Sequence, residues 1–208
     1  MKALLLSGVS LVMFVHASFG QGTFTVTFER GSRVGVGATV YNYQQGGMTF
    51  TSIYGNAFTL QGMNGGDPDL SFLPDNGTAY VQTANSETLS FSSSTGGLFI
   101  LQSVDLAEYS TVFQEPTTVQ FIGYRPDGSF ITQDFTTDGI IDGTGPLADF
   151  QTFTFGSDWT GLSRVDIPNY GWSLDNLVIT PAPEPGTLAL GVVGLATLFL
   201  VRRKTKSS

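Results

Sequence analysis

The sequence predicts an all-β fold: an antiparallel β-sandwich, jelly-roll-like, flanked by an N-terminal signal peptide and a C-terminal transmembrane helix. Three observations carry this expectation. Between Gln21 and Thr180, apolar and polar residues alternate in short runs, the period-two pattern of strands with one buried face. Gly, Asn, Asp and Pro punctuate the runs, as turns require. No stretch of this region sustains a 3.6-residue apolar repeat, so helices are not expected to build its core.

The elements follow in order. Lys2, the apolar run Ala3 to Val15 and the small-residue stretch Ala17-Ser18-Phe19-Gly20 have the layout of a secretory signal peptide, residues 1–20. Cleavage is expected after Gly20, with the position after Ala17 as the alternative. Thr23 to Glu29 then reads as a strand, with Phe24, Val26 and Phe28 on one face and three threonines on the other. Comparable runs are Thr78 to Thr83, Thr88 to Ser92, Leu98 to Val104, Val119 to Tyr124, Ser129 to Phe135, Phe150 to Phe155, Leu162 to Ile167 and Ser173 to Ile179. Arg125-Pro126-Asp127-Gly128 is a turn that lets its flanking strands pair as a hairpin. Val104 to Tyr109 is the best helical candidate, and Gly62 to Asn76 reads as a long loop. Residues 21–180 therefore make one exported domain, followed by a Pro-rich spacer at 181–185, the apolar segment 186–201 and a basic tail at 202–208.

The side-chain inventory excludes much chemistry. The chain has no Cys; its single His, His16, and its lysines, Lys2, Lys204 and Lys206, all fall in the end segments. The 21–180 domain thus lacks the residues for Ser-His-Asp or Cys-His catalysis, Schiff bases and His- or Cys-ligated zinc. Four arginines stand there against 16 of the chain's 17 acidic residues, a net of −12. Such a surface repels nucleic acid and attracts cations.

What remains is carboxylate chemistry, oxygen-ligand metal binding and aromatic recognition. Asp67, Asp69 and Asp75 share one loop and Asp138 and Asp142 another, yet Asp-Gly and Asp-Pro pairs are ordinary turn chemistry. A polysaccharide-active enzyme using two carboxylates stands as an alternative, and the domain is read as non-catalytic. Calcium is the candidate cofactor: Glu29, ending the first strand, and Asp175 and Asn176, in the last, come together if those strands are neighbours. Candidate carbohydrate-stacking residues are Tyr41, Tyr43, Tyr170 and Trp172, set among Asn and Gly; core packing is the competing role for such rings. Asn76-Gly77-Thr78 fits a glycosylation sequon and also a turn.

The C-terminus is the most specific part. Gly186 to Val201 carries no charge and spans about 24 Å as a helix, short against a bilayer core of about 30 Å. Arg202, Arg203, Lys204 and Lys206 follow as a stop-transfer cluster that stays cytoplasmic. Pro183-Glu184-Pro185, the short apolar span and the basic cluster together resemble the PEP-CTERM sorting signal of Gram-negative bacteria. That resemblance implies processing at the motif by an exosortase-type enzyme, transient anchoring in the inner membrane, and release to the cell surface or medium. It also implies an organism that makes extracellular polysaccharide, a candidate partner of the domain. More loosely, Phe28-Glu29 and Trp172 to Ile179 look like the sandwich domains often carried by such proteins, whose jelly-roll relatives include carbohydrate-binding modules.

Overall fold

The computed structural model describes residues 22–29, 38–54, 58–61, 73, 74, 76–83, 87–110, 115–140 and 149–182, all within one compact unit, Gln21–Glu184. The signal peptide, Pro183-Glu184-Pro185, the apolar segment 186–201 and Arg202, Arg203, Lys204 and Lys206 lie outside the described residues, as do Asp67, Asp69, Asp75 and Asp142.

The described residues form strands and no helix: β1 (Phe24–Val26), β2 (Ala38–Val40), β3 (Asn42–Gln45), β4 (Met48–Thr51), β5 (Phe58–Gln61), β6 (Tyr80–Thr83), β7 (Leu89–Ser93), β8 (Phe99–Glu108), β9 (Thr118–Tyr124), β10 (Phe130–Thr136), β11 (Gln151–Thr154), β12 (Arg164–Ile167) and β13 (Trp172–Pro181). One sheet runs β11-β8-β13-β6-β5-β2, with β1 also paired to β13; the other runs β10-β9-β12-β7-β4-β3. All pairings are antiparallel.

Alternation decides which side chains meet. Across the six-stranded sheet the inward row is Ile131, Gly123, Val165, Phe91, Phe50 and Tyr43. Rings of this sheet meet rings of the other: Phe28 lies 5.2 Å from Phe50, Phe91 6.1 Å from Phe99, and Phe135 4.9 Å from Phe153. The two sheets therefore share one core as a sandwich. Gly123 is small for a packing reason: a Cβ there would come within 2.9 Å of Leu162 and 3.0 Å of Trp159. Its bare backbone lets the Trp159 ring lie against the sheet.

The expected hairpin forms. Tyr124 faces Phe130, the Arg125 amide donates to the Ser129 carbonyl, and Gly128 sits at φ 84°. The first and last strands are neighbours, with Phe24 opposite Ile179. The helix expected at Val104 to Tyr109 does not form; its first five residues continue β8, where Val104 and Leu106 enter the core. Those two apolar residues are spaced by two, and β11 and β13 supply pairing on both sides. Four strands, β2 to β5, fall where no strand is expected. The β3–β4 hairpin turns on Gly46 and Gly47, at φ 60° and 77°, the left-handed pair that a tight hairpin loop takes. The sequon resolves as a turn: Asn76 is buried, its Oδ1 accepts from the Thr78 amide, and its Nδ2 is engaged by Asp175, so it presents no acceptor for a glycan.

Candidate functional site

The outer face of the six-stranded sheet carries ordered rows of side chains, exposed toward β10 and β3 and more covered at Asp166 and Ser90. Strand alternation turns one residue in two outward, and register lines them up in rows across the strands. One row is Phe130, Tyr124, Arg164, Ser92, Thr49 and Gln44; the next is Thr132, Ile122, Asp166, Ser90, Thr51 and Asn42. Six strands at ~4.8 Å spacing make the rows about 24 Å long. At one corner Phe130 is 65% exposed, and its ring centroid lies 6.5 Å from that of Tyr124. The Arg164 guanidinium sits 4.3 Å over the Tyr124 ring, a cation–π contact, while its Nε pairs with Asp166 Oδ1 at 3.1 Å. Asp166 in turn accepts from Ser90 Oγ at 2.7 Å. The arginine is thereby held flat between an aromatic face and a carboxylate, and hydroxyls and amides continue the row.

The four rings expected to stack on sugar divide. Tyr41 and Tyr170 are 70% and 53% exposed. They stand at the opposite end of this sheet from Phe130, Tyr41 just before β3 and Tyr170 after β12. Tyr43 is half-buried, its ring 5.7 Å from Phe28 and 6.1 Å from Phe50, and its hydroxyl donates to the Glu29 carbonyl. Trp172 is fully buried, with Nε1 donating to the Asn169 carbonyl at 2.9 Å. Neither ring offers a face to a ligand, because β13 turns Trp172 into the core and β3 turns Tyr43 toward Phe50.

Of the residues expected to meet, Asp175 and Asn176 adjoin a different carboxylate, Asp105, in the seven-stranded sheet, and Glu29 is held elsewhere, by the Ala79 amide. Strand β13 pairs with β6 through Trp172–Leu174 and with β1 through Leu177–Ile179. Between them Asn176, at φ 47°, forms a bulge against β8. Asp175 there faces Asp105 of β8. Asp175 Oδ2 accepts from Asn76 Nδ2 at 2.6 Å and Thr78 Oγ1 at 2.8 Å; Asp105 accepts from Thr152 Oγ1 at 2.6 Å and Asn176 Nδ2 at 2.8 Å. Glu29, three residues past β1, reaches the segment before β6, its Oε1 accepting from the Ala79 amide at 3.3 Å. Burial pushes the Asp175 carboxyl up to about 7, against the pull of its hydrogen bonds, and the nearby Asp105 charge raises it further. Buried to this degree, the pair does not flank a solvent-open sugar cleft.

No protein-family model matches the chain, and no curated protein does. Among solved structures, the K2 cleaved adhesin domain of Lys-gingipain is similar at a TM-score of 0.45 and 16% identity, covering 76% of this chain and 97% of that one. A variant of the family 29 carbohydrate-binding module CBM29-2 gives 0.33 and 12%, covering 76% and 91%; another structure of a family 29 carbohydrate-binding module gives 0.31 and 11%, covering 76% and 87%. Similarities this weak leave the chain's own residues as the ground for any assignment.

The Phe130–Tyr124–Arg164 corner was not among the residues expected from sequence. Its signal is an aromatic standing in the polar phase of a strand: Phe130 alternates with Thr132 and Asp134, outside the phase of Ile131 and Phe135.

Proposed function

We propose that this chain is an exported, non-catalytic, jelly-roll-like sandwich that associates with extracellular polysaccharide through the outer face of its six-stranded sheet. One observation supports this most directly: an exposed aromatic corner, with an arginine fixed across it, continues along its own row into the neutral hydrogen-bonding side chains Ser92, Thr49 and Gln44. The apolar C–H face of a sugar ring packs on an aromatic ring, and its hydroxyls pair with amides, hydroxyls and guanidinium. A surface 24 Å long by strand spacing accommodates several sugar rings. The excess of carboxylates over arginines in residues 21–180 favours neutral over anionic chains.

Affinity electrophoresis of the purified chain through gels containing neutral polysaccharides tests this reading. At least one polysaccharide retards the wild-type chain. Phe130→Ala and Arg164→Ala each weaken retention about tenfold, roughly the 1–2 kcal/mol of one aromatic or cation–π contact. Retention unchanged in both variants would falsify the assignment to this face.

For delivery, Pro183-Glu184-Pro185, the apolar segment and Arg202 to Lys206 support sorting as a PEP-CTERM substrate, anchored in the inner membrane until an exosortase-type enzyme cuts near the motif. Mass spectrometry of the protein recovered from medium and membranes checks this. A released form ending near Pro185 is expected, and recovery of only intact, membrane-bound chain sinks the sorting proposal.

A further inference from the structure

The Asp105–Asp175 pair places two carboxylates directly opposite each other on neighbouring strands, 6% and 0% exposed. Like charges in that register repel, and a low-dielectric setting strengthens the repulsion. Neutral donors occupy three of the four oxygens. The fourth, Asp175 Oδ1, is buried and makes no hydrogen bond of good geometry, although the adjacent Asn176 amide also stabilises the carboxylate. Arginine does not relieve the pair among the described residues: Arg125 donates to the Thr160 and Asp158 carbonyls, and Arg164 pairs with Asp166 on the other sheet. Lysine is absent from residues 3–203.

We infer that Asp105 and Asp175 hold one divalent cation of the calcium type at the point where β13 changes partners. Two carboxylates balance its charge, and among the described residues no third Asp, Glu, His or Cys gathers with them. The remaining donors are neutral oxygens on segments that meet here: Thr78 Oγ1 and the side-chain carbonyl of Asn176. Calcium accepts such a mixture of carboxylate, amide and hydroxyl oxygens in irregular geometry. Softer metals are disfavoured, because the site has no imidazole or thiolate. Glu29 stands one step out, tied to the Ala79 amide beside Thr78. A cation here would tie β8 and β13 to the segment that leads into β6, where the bulge interrupts the hydrogen bonding of β13. The inference does not rest on the polysaccharide reading, since the site lies in the other sheet.

The test is calcium chloride titrated into the chelator-treated full-length chain at about pH 8, where carboxylates are ionised, at constant ionic strength. Calorimetry is expected to give one calcium per chain. Melting is expected to rise by about 3–6 °C in roughly 10 mM calcium, the shift that binding in the range of extracellular modules gives a domain of this size. Asp105→Asn and Asp175→Asn are each expected to abolish both signals. If one variant does not fold, the other carries the comparison, because each removes one of the two charges. A wild-type chain with no binding heat and an unmoved melt overturns the proposal. So do asparagine variants that respond like wild type, which would place the calcium on the general acidic surface.

Discussion

Two charge pairs on outward-facing strand positions, Arg164–Asp166 and Asp105–Asp175, have opposite fates. Arg164 and Asp166 are two apart on β12, opposite in sign, with the arginine half exposed and the aspartate buried. Asp105 and Asp175 face each other across two strands, share a sign and are almost wholly covered. Strand alternation put all four on the side of a sheet away from the core. Sign set their chemistry: Asp166 is as covered as Asp105, yet a half-exposed arginine answers its charge, whereas the like-charged pair demands a counter-charge or a proton.

Perturbing what both sheets share should produce the largest change. Trp172 is fully buried in β13, whose neighbours include Asp175, and its ring belongs to the common core. Trp172→Ala is expected to cost about 3–5 kcal/mol by leaving a cavity, read as a lowered denaturation midpoint.

An intermediate change sharpens the contrast by removing the covered charge alone. With divalent cations chelated, folded Asp175 keeps its proton up to about 7, while the unfolded chain releases it near 4. The folded state therefore binds the extra proton between those values. The contribution is fully present below about 4 and is lost as pH rises toward 7, with a slope of at most about 1.4 kcal/mol per pH unit. Melting temperature followed from about pH 4.5 to 8 should fall accordingly, and Asp175→Asn should flatten the fall. A wild-type profile as flat as the variant's would remove the covered carboxyl as its source.

The smallest change belongs to the open face. Phe130 is exposed, so Phe130→Ala should move stability by no more than about 0.5 kcal/mol even as it weakens sugar retention. A larger loss of stability would mean that the ring packs rather than presents.

The β class, the β9–β10 hairpin and the pairing of first and last strands were legible because each rests on local pattern or chain order. Val104 to Tyr109 misled because a short apolar–acidic run fits one and a half helical turns as well as a strand, and only pairing with β11 and β13 decides it. The Gly46-Gly47 hairpin was readable in principle from its two adjacent glycines between alternating runs. Asp105 escaped notice as the partner of Asp175 because the two are joined by register alone, 70 positions apart in sequence. Trp172 and Tyr43 had the composition of a sugar platform, but composition carries no phase, and phase sent both rings inward. Phe130 was the reverse: an ordinary strand residue until its position in the polar phase is counted.

Strand β13 runs ten residues, lies between β8 and β6, takes β1 as a further partner, and ends at Pro181, two residues before Pro183-Glu184-Pro185. Beyond it the Ala182 amide still donates to the Leu98 carbonyl. The antiparallel ladder runs across the strand axis. A pull through the C-terminus therefore loads many hydrogen bonds in shear at once, where a strand peeled from an edge would yield them one by one. A load entering at Pro181 is thus received in the middle of a sheet and not at its edge.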